Sequence, residues 1–327
     1  MTNGFSDRNT PDRMDLPFVG LVTFAGQPAQ EDWNKLDGAD VAILGVPIDT
    51  ASSYRVGTRF GPRAIRDASM FHGFGPDGVF DFEDEVSYLT AAEVKIVDAG
   101  DSDVVYADTK RSQANATQAV RALLDAKVMP YILGGDHSIT MASVAAYSDE
   151  SPIHIVHIDA HFDFIDERNG ISWGHGSPMR RSSEMAHVKG ITTLAPRNMA
   201  AVSRKDYEAA IAYGTHIVPM RKLRAQGAAA SLAHIPDGER VYVSIDIDAF
   251  DPSIAPGTAT ISHGGLTYYE GKDILREVAR RFDVVGVDFV EVSPPYDQSG
   301  ITSLLAARLS LDFIGFIFHQ RCKRRPR

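Results

Sequence analysis

Residues 153–163 read IHIVHIDAHFD: six residues dominated by Ile, Val and His, then Asp159, His161 and Asp163 at alternate positions. A short apolar run with no polar face is what a strand buried on both sides requires. Seven similar runs recur: DVAILGV at 40–46, VKIVDAG at 94–100, MPYILGG at 129–135, GITTLA at 190–195, THIVP at 215–219, RVYVSID at 240–246 and DVVGVDFVEV at 283–292. Segments of helical spacing lie between or after them, at 109–126, 139–147, 204–213, 268–281 and 301–319. Doubly buried strands alternating with helices predict an α/β fold with a mostly parallel sheet of about eight strands. No repeat or linker divides the chain. The expectation is one domain over 16–322, with a flexible N-terminal arm at 1–15 and a basic tail, KRRPR, ending at 327.

Composition narrows the function classes. The 327 residues carry 33 Lys and Arg against 43 Asp and Glu, a formal net charge of -10. No strong basic field exists to draw nucleic acid or an anionic membrane, and a cationic small molecule suits the balance better. Cys322 is the sole cysteine, which excludes an internal disulfide framework and any multi-Cys metal site and fits a reducing, cytoplasmic compartment. No apolar run is expected to reach membrane-spanning length, and the start of the chain is polar rather than signal-like.

Parallel sheets collect ligands at the carboxyl ends of their strands, so the ionisable residues there matter most. The 129–135 run leads into Gly134, Gly135, Asp136, His137 and Ser138. The paired glycines suggest a tight turn, and Asp136 or Ser138 could cap the next helix. Period-two alternation would aim Asp159, His161 and Asp163 to one side, and likewise Asp246 and Asp248. Asp251 before Pro252 fits turn chemistry. Three strand ends thus supply four carboxylates and two imidazoles, a set that repels itself unless cations hold it. It suits two divalent metals that share carboxylates, with room for a bridging water. Oxygen and nitrogen donors without thiolate favour Mn2+, with Ni2+, Co2+ or Zn2+ as alternatives.

The motifs GGDHS, DAHFD and SIDIDAFDP resemble the three metal signatures of the ureohydrolases, the arginase and agmatinase family, with the agmatinase branch nearest. RFGPRAIR at 59–66, HGSP at 175–178 and EVSPPYD at 291–297 extend the resemblance. It implies a three-layer α/β/α arginase-like fold and two Mn2+ per subunit. His137, Asp159, Asp163 and Asp246 would hold one metal, and Asp159, His161, Asp246 and Asp248 the other. By the same resemblance His175 is the proton shuttle and Glu291 orients a guanidinium group. The chemistry is consistent: a guanidinium is a poor electrophile, its hydrolysis needs a strong nucleophile at neutral pH, and the departing nitrogen needs a proton.

The chain also departs from the family pattern. Where TGTPEPGGL is usual it has Thr258–Leu266, TATISHGGL, so that Ala259, Ile261, Ser262 and His263 replace a glycine, a proline, an acid and a second proline. Phe162 sits between ligands, Val56 replaces a proline, and APRN at 195–198 replaces GIRG. Retained chemistry with altered substrate recognition is expected, with His263, Trp173 and Asn198 as candidate substrate contacts. An agmatine-like guanidino compound is the default substrate. A guanidino acid, guanidine, or a biguanide of the metformin type with nickel are alternatives. A non-catalytic subunit of a mixed oligomer and a single-zinc amide hydrolase are the competing readings. The resemblance suggests a homotrimer or homohexamer, with RFGPRAIR or Phe313, Phe316 and Phe318 either in contacts or in the core.

Overall fold

The computed structural model describes residues 16–36, 38–199 and 202–324. The expected arm at 1–15 and the last three residues of the basic tail lie outside them. Ten strands follow in chain order: β1 Val41–Val46, β2 Val79–Asp81, β3 Val86–Tyr88, β4 Ile96–Asp101, β5 Met129–Gly134, β6 Ile153–Ile158, β7 Val188–Leu194, β8 His216–Val218, β9 Arg240–Asp246 and β10 Asp283–Val290. Eight α-helices accompany them among the described residues: α1 Gly61–Ser69, α2 Thr109–Asp125, α3 Ile139–Ala145, α4 Pro178–Ser183, α5 Arg204–Tyr213, α6 Met220–Leu232, α7 Tyr268–Arg281 and α8 Ile301–Arg324.

The eight apolar runs of the sequence form one sheet in the order β4-β1-β5-β10-β9-β6-β7-β8, and every pairing in it is parallel. Alternation along each strand feeds two cores. Val41 and Ile43 enter one apolar cluster, while Ala42, Leu44 and Val46 enter the other. Residues of α6, α7 and α8 fill the first layer, those of α2 and α3 the second, and the result is a three-layer α/β/α fold.

Three helices and a small antiparallel hairpin, β2 with β3, escaped the sequence pattern. Helix α1 starts at Gly61-Pro62 inside RFGPRAIR, and its Arg66 is buried on Asp98 and Asp101 at 2.8 and 2.6 Å. That arginine is thus a structural ion-pair partner within the chain. Phe313, Phe316 and Phe318 are buried in the core. Helix α8 corrects a further expectation, because by length and composition it could cross a membrane. Its apolar residues instead pack against the sheet and α7, which accounts for an apolar surface on all sides of one helix.

The central strands β5, β10, β9 and β6 are neighbours. From β1 the chain winds outward to β4 on one side and from β6 through β7 to β8 on the other, before β9 and β10 return to the middle, so the carboxyl ends of the four central strands open a crevice where the winding reverses.

Candidate metal centre and its surroundings

His137 follows β5, Asp159 follows β6, Asp246 ends β9 and Glu291 follows β10. Gly134 and Gly135 precede His137, but neither has a positive φ. Space is the reason for glycine: a Cβ on Gly135 would overlap the Ile48 carbonyl, and one on Gly134 would stand 2.6 Å from a Val290 methyl. Asp136 takes the Ser138 N–H at 3.0 Å just ahead of α3 and the Ala51 N–H at 3.0 Å, but its side chain caps no N–H of the helix itself. Ser138 does not cap either, since its hydroxyl is buried without a partner. Burial and the charge of Glu291 hold the Asp136 carboxyl up at about 6.

The six expected ligands converge, though not through strand alternation. Strand β6 stops at Ile158, and Asp163 adopts φ 49, while Asp248 lies in a 3-10 turn at Ile247–Ala249. Each lead carboxylate folds the chain back onto itself: Asp159 Oδ1 accepts from His161 N at 2.6 Å, and Asp246 Oδ1 from Asp248 N at 2.8 Å. Local side-chain-to-backbone bonds of this kind turn an extended segment.

Around His137 Nδ1 stand Asp163 Oδ2 at 2.9 Å, and Asp159 Oδ2 and Asp246 Oδ2 at 3.1 Å each. His161 Nδ1 stands 3.3 Å from Asp159 Oδ1 and 3.1 Å from Asp248 Oδ2. Asp159 therefore belongs to both groups, one oxygen to each. Asp246 contributes to the first through Oδ2, while its Oδ1 is occupied by the Asp248 amide.

A single imidazole proton cannot satisfy three carboxylate oxygens, so the donor chemistry fits a divalent cation in each group. Electrostatics agree. Burial and the charges of Asp248 and Asp159 push the Asp246 carboxyl well up, whereas Asp159, equally buried, is held well down by His157, His137 and His161. Burial opposes protonation of His161, yet Asp248 and Asp159 push it up to about 12.

Several supporting residues were not singled out from the sequence. His157 Nε2 lies 2.8 Å from Asp159 Oδ2 and its Nδ1 3.3 Å from Thr193 Oγ1, so it falls in the first donor group. Its position two before Asp159 was the available signal. Ser244 Oγ meets His137 Nε2 at 2.9 Å, which leaves Nδ1 for the carboxylates, the kind of support that orients a ligating imidazole. Thr260 donates to Asp248 Oδ2 at 2.9 Å.

Arg197 was invisible in sequence because its partners are backbone carbonyls, those of Asp248 at 2.6 Å, Ser262 at 2.7 Å, Ala249 at 3.1 Å and His263 at 3.2 Å among them. Asn198, at φ 72, adds a bond from its amide to Ser262 Oγ at 2.5 Å. Two departures from the family pattern, 195–198 and 258–265, are thus joined to each other and to Asp248. Asp251 ties the same loop down through Ser253, Gly264 and Gly265, whose donors hold its carboxyl at about 2.

The other candidate contacts are placed differently. The ring of His263 is exposed, and only its carbonyl is bonded, to Arg197 and Asn198. Trp173 lies under Lys110, whose Nζ sits 3.7 Å from the ring centroid. Phe162 turns to Tyr207 at 5.8 Å between centroids.

Glu291 adopts φ 64, a left-handed conformation uncommon for a glutamate, and is 1% exposed. Its Oε1 accepts from His137 N at 2.9 Å and faces His175 Nδ1 at 3.1 Å, while Oε2 is buried with no partner. Burial lowers the affinity of His175 for a proton, but Glu291 outweighs it and raises the imidazole to about 9. On the far side, His175 Nε2 lies 2.8 Å from Ser53 Oγ and accepts from Ser53 N at 3.1 Å.

With fold and geometry in view, the comparisons with known proteins agree. The arginase family model matches residues 39–315, and the chain belongs to that family. It is an amidinohydrolase of the ureohydrolase class. The mitochondrial guanidino acid hydrolase of Homo sapiens is 33% identical, over 90% of this chain and 82% of its own. Agmatinase of Bacillus subtilis is 31% identical, over 93% and 99%. The solved structure of proclavaminate amidino hydrolase from Streptomyces clavuligerus superposes with a TM-score of 0.81 at 32% identity, covering 93% of this chain and 99% of that one.

Proposed function

We propose that this chain hydrolyses a carbon–nitrogen bond of a guanidine-type cation, releasing urea or a urea-like product and an amine, with two Mn2+ per subunit. The observation that carries this reading is Glu291 Oε2. A buried carboxylate oxygen without a partner, beside an imidazole and two groups of metal donors, needs a planar cation to complete it.

His137, Asp159, Asp163 and Asp246 would hold one cation, and Asp159, His161 and Asp248, with Asp246, the other. Bound there, the pair supplies Lewis acidity and makes water acidic enough to act as a nucleophile at neutral pH. Glu291 accepts N–H bonds from the guanidinium and fixes its carbon over the donor groups. His137 N and His175 Nδ1 both engage Oε1, which restrains the carboxylate and leaves Oε2 for the cation.

His175 handles the proton of the departing nitrogen. When neutral it carries hydrogen on Nδ1, toward Glu291, and Nε2 accepts from Ser53 N. When protonated, Nε2–H has Ser53 Oγ as an acceptor. Both states therefore have partners, as a group that gains and loses a proton in each turnover requires.

The test is to express the protein with manganese or with nickel, quantify bound metal, and measure urea and amine release from agmatine, 4-guanidinobutyrate, guanidine and dimethylbiguanide. About two metals per chain with turnover of at least one compound is expected. A metal-loaded protein inert toward all four overturns the proposal.

A further inference from the structure

Arg55 and Arg168 stand on the segments that carry Ser53 and His175, Lys110 reaches the second of these from α2, and none of the three has an acidic partner within ion-pair distance among the described residues. Arg55 is stacked between the rings of Tyr54 and Tyr296, at 5.3 and 5.0 Å. Lys110 lies on Trp173. Arg168 Nη1 donates to Ser53 Oγ at 3.4 Å. In a chain with a net charge of -10, unpaired cations gathered on one side of a site call for a reason. The acids nearby are engaged elsewhere: Asp49 on Arg59, Asp166 on Arg181 at 2.6 Å, and Glu167 Oε1 on the Gly170 N–H at 3.1 Å.

Arg168 is the best placed of the three. It and Ile171 exchange backbone hydrogen bonds at 2.9 and 3.0 Å around Asn169, φ 53, and Gly170, φ 80. That is a two-residue turn with both central residues left-handed, which Asn-Gly adopts readily. The base of the side chain is therefore fixed. Hydrogen bonds then run from Arg168 to Ser53, from Ser53 to His175 and from His175 to Glu291, while exposure falls from the open surface at Arg168 to 1% at Glu291. The line connects the rim of the site with its floor.

On the opposite flank the Asp251 carboxylate is already taken by the donors of Ser253, Gly264 and Gly265. Residues 258–265, which reach Asp248 through Thr260, contain no acid, and Arg197 is committed to carbonyls. A guanidinium on Glu291 with an ammonium at its far end would meet Arg168. A carboxylate there would meet a planar fork of donors suited to it.

We propose that Arg168 anchors a substrate carboxylate, so that the preferred substrate is a short ω-guanidino acid rather than a guanidino amine. This inference rests on the hydrolase reading above. The guanidinium occupies Glu291, the carboxylate pairs with Arg168, and Arg55 adds to the field that draws the anion in.

The experiment compares full-length, metal-loaded wild type with Arg168→Ala and Arg168→Lys, on 4-guanidinobutyrate, agmatine and guanidine. Wild type should use 4-guanidinobutyrate with kcat/KM at least about tenfold above agmatine. Arg168→Ala should raise KM for the acid about tenfold, leaving its kcat and the turnover of guanidine within about twofold, and Arg168→Lys should recover part of the loss. Preference for agmatine in the wild type, or an equal loss on all three compounds in the variant, overturns the proposal. Calorimetric titration of the same proteins with 4-guanidinobutyrate and with n-butylguanidine decides the matter if no compound turns over. The hydrolase reading then fails, whereas weaker binding of the acid alone in Arg168→Ala sustains the anchor and unchanged binding overturns it.

Discussion

Replacing Glu291 with Gln separates the role of its charge from that of its shape. The side chain stays the same size, and the amide oxygen can still take the His137 N–H that Oε1 accepts at 2.9 Å. What changes is the buried, unpartnered Oε2, which becomes an amide nitrogen or loses its charge. In the folded protein without substrate, a desolvated charge is removed, so stability should hold or rise; Tm is expected unchanged or a few degrees higher. With substrate, a charge-assisted bond between a buried carboxylate and a guanidinium is lost. Such truncations cost about 2–5 kcal/mol, so kcat/KM should fall by roughly 30- to 4000-fold. His175 should also change, because Glu291 is what raises it to about 9; without that charge, burial prevails and the imidazole titrates lower. Urea release over a range of pH, scanning calorimetry and metal analysis on one preparation would read all three effects. Activity within tenfold of wild type at unchanged metal content would refute the reasoning, because the orphaned oxygen would then have no cation to hold.

Asp159→Asn removes a charge shared by both donor groups and should lower bound metal and abolish urea release by at least about 10³-fold, with far-ultraviolet circular dichroism unchanged; retention of both metals and of turnover would contradict the assignment. Chelation should lower Tm, since cations at 100 times Kd stabilise the folded state by about 2.7 kcal/mol, and titration with Mn2+ should restore it. Burial holds His154 and His234 down at about 4, with Thr192 bridging them at 2.8 Å to each. The unfolded chain then binds more protons below its ordinary value near 6.5, so stability is fully present above about 6.5 and falls as pH drops toward 4; His154→Gln should remove on the order of 2 kcal/mol of that dependence, measured by denaturant titration at pH 7.5 and 4.5. Arg197→Leu should cost about 3–5 kcal/mol, because the carbonyls of Asp248 and Ser262 lose a charged donor, and should lower turnover with it; a fully stable, active variant would show that the loop holds its place unaided.

What the sequence determined by itself follows from period and composition. Eight apolar runs alternating with helices point to a covered parallel sheet, and six ligand-type residues at three strand ends stood out because oxygen and nitrogen donors are costly to bury without purpose. Contacts made by side chains with distant backbone leave no such trace. Nothing in Arg197 or Thr260 as residues announces a carbonyl or a carboxylate far along the chain, and His157 looked like part of a strand. Alternation also gave the right convergence by the wrong route, because short hydrogen-bonded turns at Asp159 and Asp246, not extended backbone, aim Asp163 and Asp248. Tertiary structure alone decided that the two unusual loops are bonded to each other, that Phe313, Phe316 and Phe318 are core, and that Glu291 keeps one oxygen free. Each of these depends on which atoms meet across the sheet, a matter of packing that local propensity does not encode.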